Sequence, residues 1–334
     1  RITPSEAPMD FSIPPPLKEE LARFDRFIRD EIAPSLGGWN RSGQIPAVFF
    51  RKMGAGGWYG FGLDGGRIKK RSVLREALLS EALAAVSPGT AIAALAHIDL
   101  GFMGLYMFGS EDLVHRYGPA VIAGESIMCL GNTENIAGSD VSGIGMTAEP
   151  VAGGWRLSGT KAYVTNGAMA SLGVVTAVTD PDAPRNRRLS MFLVDLDDPA
   201  VRRTKLRKAV WIPSDLTRLE FSGVFVPEDR LLGRRGYGLR QVLAVFTRSR
   251  IPIAALTLGT ATGAFDLAVA RAVRRRMFGR RIVDFQAKAF EIADHAARIE
   301  AARLMVHKAC RTAEDGGDFR SEAAMAKYLS VDLA

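Results

Sequence analysis

The stretch Thr133-Glu-Asn-Ile-Ala-Gly-Ser-Asp140 lies where the hydrophobic pattern of the chain changes from helical to strand-like. Gly138 lets the backbone approach a ligand closely, and the Ser139 hydroxyl and neighbouring amides can donate hydrogen bonds to an anion. Asp140 can stabilise the loop through an Asx-type hydrogen bond. The same residues also suit an ordinary turn, so this stretch alone leaves both interpretations open.

A second motif follows within the same part of the chain, Gly159-Thr-Lys-Ala-Tyr-Val-Thr-Asn-Gly167. It reads as a strand that ends in threonine and asparagine beside a glycine turn. Tyr163 can stack on a planar ligand, and the Thr165 hydroxyl can donate to a ring nitrogen. The alternative is a hairpin strand with a core tyrosine.

The third motif, Arg276-Met-Phe-Gly-Arg-Arg-Ile-Val-Asp-Phe-Gln286, interrupts two long helical patterns. A guanidinium suits a pyrophosphate, an aromatic face suits an adenine, and an amide adds a polar contact. The alternative is a solvated basic turn between helices.

The periodicity outside these motifs divides the chain into three parts. Helical spacing covers residues 17–32, 73–86 and 91–108, and Pro34 is expected to end the first helix. Alternating, β-branched segments cover residues 127–227, and helical spacing returns from Gly236. The pattern predicts a multi-part α+β protein with an N-terminal helical domain (1–125), a middle β-barrel or sandwich domain (126–233) and an incomplete C-terminal helical bundle (234–334).

Composition limits the function classes. The net charge of +8 is spread over scattered arginines without interleaved aromatic residues, which argues against nucleic-acid binding. We find no uninterrupted apolar run near the ~20 residues of a membrane span and no signal-peptide pattern. Cys129 and Cys310 have no metal-ligand spacing, so we expect small core residues, no metal and a reduced cytoplasmic setting.

Taken in order, the three motifs resemble the acyl-CoA dehydrogenase family. Its patterns are Thr-Glu-Pro-x-x-Gly-Ser-Asp, Lys-x-(Trp/Tyr)-(Ile/Val)-Thr-Asn-Gly and Arg-x-x-Phe-Gly-x-x-(Ile/Leu)-x-x-x-Gln or close variants. The stretch Gly109-Ser-Glu-Asp with Tyr117-Gly-Pro, and the stretch from Phe221 to Gly233, are also similar to the family. The resemblance spans about residues 11–334.

The resemblance implies a flavoprotein whose FAD lies between the β-domain and the C-terminal helices. Tyr163 would stand over the flavin, Thr165 would hydrogen-bond near N5, and Ser139 would contact the pyrophosphate side or the thioester. The third motif would hold the FAD of a neighbouring subunit, which implies a homodimer or homotetramer. The cofactor residues implied are Thr133, Ser139, Tyr163, Val164, Thr165, Arg276, Phe278 and Gln286.

The implied reaction is the α,β-dehydrogenation of acyl-CoA to 2-enoyl-CoA in fatty acid metabolism, with electrons passed to an electron-transfer flavoprotein. Most members place a catalytic glutamate after the helix that is still running at Ala334; a minority place it where this chain has Ser249. We therefore expect the base beyond Ala334. The substrate-binding residues implied are Ser139, Phe102, Tyr106 and Arg250, and the two bulky rings suit a short or branched acyl group.

The chain departs from the family where Asn135-Ile136 replace Pro-Gly and Thr247 replaces a frequent aspartate. These changes leave alternatives open. One is a dehydrogenase of acyl groups tethered to a carrier protein in a biosynthetic pathway. Another is a flavin-dependent N-oxygenase on the same fold, and a third is a non-catalytic paralogue.

Overall fold

The computed structural model describes residues 11–334, and within that range helices dominate both ends of the chain. Segments of π- and 3-10-helix join some of the α-helices. The α-helices are α1 (Pro15–Phe27), α2 (Leu36–Ser42), α3 (Ala47–Ala55), α4 (Val73–Val86), α5 (Pro88–Leu95), α6 (Met103–Phe108), α7 (Glu111–Ile122), α8 (Gly238–Arg274), α9 (Gln286–Glu314) and α10 (Arg320–Leu333).

The strands concentrate in the middle of the chain, as the alternating pattern predicts. They are β1 (Phe61–Asp64), β2 (Arg67–Lys70), β3 (Met128–Gly131), β4 (Thr147–Val151), β5 (Gly154–Thr165), β6 (Leu172–Val178), β7 (Leu189–Asp195), β8 (Val201–Lys205), β9 (Leu216–Pro227), β10 (Leu231–Leu232), β11 (Arg276–Met277) and β12 (Arg280–Arg281).

One mixed sheet forms the middle part. Its order is β10-β7-β6-β4-β5-β9-β8, and β3 pairs with β6 in parallel. The strands β6 and β7 are buried almost throughout because both of their faces are covered. The helical–β–helical order confirms the predicted fold class.

The chain divides into two compact units that interleave in sequence. One unit combines residues Arg1–Ala33, Ser72–Val86 and Arg250–Ala334, and the structure describes it from Phe11 onward. The other combines Pro34–Arg71 with Ser87–Ser249 and contains the mixed sheet. The long helix α8 contributes to both units.

Two glycines let α8 lie unusually close to α4 in the first unit. A Cβ atom at Gly259 would stand 2.1 Å from the Glu81 carbonyl oxygen, and one at Gly263 would stand 2.0 Å from the Ala85 carbonyl oxygen. Both spacings are four residues, so the contact follows one face of each helix. Larger residues at these positions would force the two helices apart.

The N-terminal part differs from the prediction in two places. Pro34 does not end the helical path: α1 gives way to a π-helical turn at Ile28–Ile32 and a 3-10 turn at Ala33–Ser35, and α2 follows. Proline lacks a backbone N–H, but its position in this 3-10 turn does not need that donor for the hydrogen bond of the turn. The hairpin β1–β2, paired antiparallel, interrupts a region read as wholly helical.

Two helical stretches, Pro88–Phe108 and Gly238–Arg274, are long and apolar enough to cross a membrane by length and composition. This is weak support for a span, because the core helices of globular proteins pass the same test. Most of the first stretch is buried inside the fold. The expectation of no membrane span stays a prediction.

Both cysteines are free and buried, which confirms their interpretation as small core residues. Burial raises the pKa of the Cys129 thiol to about 12, with a smaller contribution from the Asp215 carboxylate. Such a thiol stays protonated and unreactive at neutral pH.

Candidate functional site

The loop that follows β3 is held from inside by one carboxylate. Glu134 accepts hydrogen bonds from the backbone amides of Gly145 (2.8 Å) and Met146 (3.0 Å). It also accepts one from the Lys161 ammonium at 2.7 Å. Glu134 and Ala137 close a tight turn through paired backbone hydrogen bonds. The predicted ligand-binding loop is therefore a fixed structure rather than an open turn.

Side chains at every second position of a strand point to the same face of the sheet. Lys161 is therefore buried on the same face of β5 as the inward-facing Trp155 and Leu157. Its side chain has no exposed surface, and its ammonium donates to the Asn132 carbonyl (3.2 Å) as well as to Glu134. Burial lowers the pKa of Lys161 to about 8, against the opposing effect of Glu134. Burial also raises the pKa of Glu134, but the Lys161 charge and the hydrogen bonds outweigh this, and the pKa lies below its usual value.

Tyr163 sits on a β-bulge. The pairing of β5 with β9 shifts register between Lys161 and Val164, so one extra residue is placed in β5. Tyr163 adopts φ +56°, a left-handed conformation that is rare for an aromatic residue. Its side chain is 59% exposed, so the alternative of a core tyrosine is wrong.

The turn after β5 is also strained and is fixed by a buried amide. Asn166 has φ +66°, and its side-chain nitrogen donates to the Ala93 carbonyl at 2.8 Å. Strained residues of this kind persist only where the surroundings hold them, and they cluster at ligand sites. The bulge and the turn together fix the backbone on either side of Thr165.

Three predicted hydroxyls are available for a ligand. The Ala162 amide donates to the Thr133 carbonyl at 2.8 Å, which brings Thr133 beside the bulge. Within residues 11–334, the hydroxyls of Thr133, Ser139 and Thr165 make no hydrogen bond and are partly or fully exposed. An exposed aromatic ring with free hydroxyl donors on the same and neighbouring backbone segments suits a flat ligand with polar edges. This donor set fits the isoalloxazine ring of a flavin.

The third motif forms an exposed hairpin in the other unit. Strands β11 and β12 pair antiparallel, and Phe278 (φ +51°) and Gly279 (φ +75°) form the turn between them. Phe278 is 89% exposed, and Arg276 donates to the Gly279 carbonyl at 3.2 Å. Gln286 is exposed at the first position of α9.

Two adjacent arginines lie at the start of this hairpin. In the family pattern the arginine precedes the phenylalanine by three residues, and that spacing corresponds to Arg275 rather than Arg276. Both side chains are exposed, so the contact with a pyrophosphate stays a prediction for either one.

The predicted acyl-binding residues differ in exposure. Phe102 is fully buried, with its ring 4.9 Å from that of Phe61. Tyr106 is half-buried and lines a cavity of about 650 Å³ together with Ile68 and Val114. Arg250 is half-buried on α8, and the contact of these residues with a substrate stays a prediction.

Ser249 occupies the alternative base position but has no basic function. Its side chain is 1% exposed, and its hydroxyl donates to the Phe246 carbonyl at 3.1 Å, one turn earlier in α8. A neutral serine hydroxyl is far too weak a base to take the α-proton of a substrate, and this one is also buried.

Sequence reasoning missed the residues that hold the site in place. Glu134 lies in the first motif and Lys161 in the second. The burial of Lys161 could have been predicted, because it alternates in step with the apolar residues Trp155 and Leu157 of the same strand. His97 was also missed: its Nδ1 accepts from the Met128 amide at 3.0 Å, and its Nε2 lies 3.0 Å from the Val121 carbonyl. No local pattern marked His97, because its partners lie more than twenty residues away.

This fold and this site define the class of flavin-binding enzymes with helical, β and helical parts. Models of the acyl-CoA dehydrogenase family match the chain in all three parts. The N-terminal domain matches residues 18–125, the middle domain residues 129–224 and the C-terminal domain residues 236–334.

Known proteins agree with that match. The acyl-CoA dehydrogenase of Bacillus subtilis (strain 168) is 33% identical over 312 residues, which cover 92% of this chain and 82% of the relative. The butyryl-CoA dehydrogenase structure from Megasphaera elsdenii has a TM-score of 0.91 and 29% identity, covering 98% of this chain and 86% of that chain. A chain from the structure of the electron transferring flavoprotein of Acidaminococcus fermentans has a TM-score of 0.93 and 31% identity, with the same coverage of 98% and 86%.

The chain belongs to the acyl-CoA dehydrogenase family. It is therefore an FAD-dependent oxidoreductase of the type that acts on CH–CH groups.

Proposed function

We propose that the protein oxidises the acyl group of an acyl-CoA thioester to the 2-enoyl form and passes the electrons to an electron-transfer flavoprotein. The observation that carries this proposal is the strained, exposed Tyr163 between the unpaired hydroxyls of Thr133 and Thr165. Bound there, FAD supplies a two-electron acceptor for the hydride that leaves Cβ of the acyl chain.

The residues of this chain contribute to the proposed reaction by holding the flavin in a fixed position. With FAD bound, the Tyr163 ring would cover one side of the flavin, Thr133 and Thr165 would donate to its polar edge, and the Val164 backbone would lie between them. The bulge and the Asn166 turn fix these groups before any ligand binds, so little ordering is needed on binding.

The Ser139 hydroxyl is the donor we assign to the thioester side of the site. It is exposed on a loop that the Glu134–Lys161 pair holds rigid. Transfer of the α-proton to a carboxylate base, which the resemblance implies, places negative charge on the thioester oxygen, and a fixed donor stabilises that charge. Arg250 is assigned to the substrate as well, as the resemblance implies.

We propose a short or branched acyl group as the substrate. Phe102 and Tyr106 fill the region between α7 and the β1–β2 hairpin with bulky rings. The similarity to a butyryl-CoA dehydrogenase supports the same size class. Similarity to a chain from an electron transferring flavoprotein structure supports an electron-transfer flavoprotein as the acceptor.

We propose that the protein works as a homo-oligomer, a tetramer in keeping with the resemblance, and that it resides in the cytoplasm and serves fatty acid metabolism. Large apolar side chains are exposed on the helical unit, including Phe278, Leu267 and Tyr328. These residues are the candidates that we assign to the contact surface of the oligomer. In the oligomer, Arg276, Phe278 and Gln286 would bind the FAD of the neighbouring subunit.

The test is anaerobic reduction of the purified, FAD-loaded protein by butyryl-CoA. We expect the flavin absorbance near its visible maximum to bleach, and reoxidation by an electron-transfer flavoprotein to restore it. Thr165→Val should bind FAD more weakly and bleach more slowly, whereas Thr165→Ser, which keeps the hydroxyl, should behave like the parent protein.

Three outcomes would overturn the proposal. Protein that stays colourless after incubation with FAD removes the flavin function altogether. Bleaching only by an acyl group on a carrier protein replaces the CoA substrate. Rapid oxygen consumption by the NADH-reduced protein, without bleaching by acyl-CoA, makes the protein an oxygenase.

A further inference from the structure

The turn that follows Thr165 is held through both backbone polar groups of Ala168. The Ala168 amide donates to Oδ1 of Asp215 at 3.2 Å, and the Ala168 carbonyl accepts from Nη1 of Arg203 at 3.1 Å. The two holding groups carry opposite charges, and hydrogen bonds to charged groups are stronger than those between neutral groups. Asp215, Ala168 and Arg203 are called the Ala168 clamp below.

Asp215 lies directly before β9 and is almost fully buried, with 2% of its surface exposed. Its Oδ1 also accepts from the Thr217 hydroxyl at 3.0 Å, whereas its Oδ2 has no hydrogen-bond partner among the residues that the structure describes. Burial raises the pKa of Asp215, and the hydrogen bonds together with the charges of Lys205 and Lys208 oppose this shift. Burial of a partly unpaired carboxylate costs folding free energy. A role in the site therefore explains its place beside the turn better than a gain in stability does.

Arg203, in β8, is fixed by contacts of its own. Its Nη2 donates to the Leu196 carbonyl at 2.6 Å and to the Asp197 carboxylate at 2.8 Å. The guanidinium is planar and rigid, so the oxygens around it define its position. Its side chain is 23% exposed, so a substitution there removes the donors without opening a core. Arg203 thus ties the turn to the residues that follow β7.

The clamp lies next to the residue that we assign to the flavin. Thr165 pairs with Leu216 at the start of β9, and Asp215 is the next residue beyond that pair. Gly167 packs against the same strand, where an added Cβ would stand 2.9 Å from Cβ of Thr217. The chain is therefore held three residues after Thr165, whose own hydroxyl makes no hydrogen bond within the described range. A shift of the turn would change the direction of that hydroxyl.

We propose that Asp215 and Arg203 are positioning residues of the flavin site: by holding Ala168 they keep the Thr165 hydroxyl directed at the polar edge of the flavin. This inference rests on the proposed function, because it assumes that Thr165 donates to the flavin. The two charged side chains act through the turn and need no contact with the cofactor. A donor that is held in place before binding loses little freedom on binding, so FAD is bound more tightly.

The first measurement is the dissociation constant of FAD, taken from the flavin fluorescence released when the FAD-loaded protein is diluted. Arg203→Met keeps most of the apolar stem and removes the donors, and we expect FAD to bind about three- to tenfold more weakly. The control is Arg202→Met, the neighbouring residue of β8, whose exposed side chain pairs with Glu220. It should bind FAD like the parent protein. Unchanged FAD affinity in Arg203→Met would overturn the proposal.

A double-mutant cycle tests whether the clamp acts through Thr165. In protein that already carries Thr165→Val, no hydroxyl is left to position, so adding Arg203→Met should weaken FAD binding by less than about twofold. A full three- to tenfold loss in that background would overturn the proposal, because the arginine would then act on the cofactor by another route.

The carboxylate is tested by a pair of substitutions. Asp215→Asn keeps an oxygen that can accept from the Ala168 amide, and Asp215→Ala removes it. We expect FAD affinity within about twofold of the parent for the asparagine and a loss like that of Arg203→Met for the alanine. Hydrogen exchange at residues 166–170 should be faster in the alanine variant alone. Equal FAD affinities in the two Asp215 variants would overturn the proposal, because the effect would not depend on the acceptor.

The two proposals fail in different ways. If the cycle shows the expected coupling between Arg203 and Thr165 but butyryl-CoA does not reduce the flavin, the dehydrogenase proposal fails and the clamp stands. If butyryl-CoA reduces the flavin and Arg203→Met binds FAD like the parent, the dehydrogenase proposal stands and the clamp fails.

Discussion

The loop after β3 and the hairpin of β11 and β12 both carry predicted cofactor residues, but they are built in opposite ways. The loop encloses a lysine with no exposed surface, and its carboxylate partner is 8% exposed. In the hairpin, every residue from Arg274 to Arg281 is exposed. The loop is completed by the chain's own contacts, whereas the hairpin presents its side chains outward.

This difference indicates which of the two regions one chain can hold in place alone. A residue fixed by buried partners keeps its position whether or not a ligand is present. An exposed phenylalanine at the tip of a two-residue turn gains a fixed position only from another surface. We therefore expect changes in the loop to affect folding and changes in the hairpin to affect binding.

The largest effect should come from Lys161→Met. Removing the lysine leaves the Glu134 charge buried without its partner, and we expect the free energy of unfolding to fall by about 3–5 kcal/mol. Urea unfolding measures this change. The matched control is Lys288→Met in α9, whose exposed pair with Glu291 should change stability by less than about 0.5 kcal/mol. Equal effects of the two substitutions would contradict the difference between the regions.

The second-largest effect on the free energy of unfolding should come from lowering the pH, because His97 is then protonated. Burial lowers the pKa of this ring to about 4, so the unfolded chain takes up its proton first as the pH falls below 6.5. The neutral ring therefore contributes about 3 kcal/mol to the free energy of unfolding above pH 6.5. This contribution is lost as the pH falls to about 4.

The measurement is the free energy of unfolding from pH 7 to pH 4 for the parent and His97→Gln. The variant should show a shallower loss over this range, and His295→Gln, which changes an exposed ring, serves as the control. Hydrogen exchange shows in which region the stability is lost. The Met128 amide donates a hydrogen bond to His97, whereas residues 276–286 of the hairpin region contain no histidine. If the free energy of unfolding fell as steeply with pH in the His97 variant as in the parent protein, the role assigned to this ring would be refuted.

The smallest effect on stability should come from Phe278→Ala. The side chain is almost fully exposed, so we expect less than about 0.5 kcal/mol in urea unfolding. FAD affinity should nonetheless fall about tenfold if the ring packs on the cofactor of a neighbouring subunit. Phe225→Ala, at an exposed position of β9, is the control. Unchanged FAD affinity in the Phe278 variant would remove the hairpin from the cofactor site.

The large features could be predicted from the sequence because they follow local periodicity. Helix α4 occupies the predicted residues, and β5 and β9 fall within the predicted β region. The β1–β2 hairpin was missed because it is short and rich in charged residues, with no clear alternation. Its pairing depends on the turn at residues 65–66 rather than on a hydrophobic pattern.

The contacts of the site were harder to predict, for a different reason. The Lys161–Glu134 pair joins residues that are 27 positions apart, and a single sequence carries no signal for such a pairing. The exposure of Tyr163 depends on the bulge, which reverses the facing that simple alternation assigns to this part of the strand. The motifs indicated candidate residues for the site but not how those residues are held in the fold.

The buried Lys161–Glu134 pair also bears on how long the folded protein lasts. Its two charges lose water only after the loop has closed over β5, so the pair should be largely absent from the transition state of folding. Contacts that form late slow unfolding more than they speed folding. The pair that fixes the loop would then also slow the opening of the middle domain, and so lengthen the lifetime of the native state.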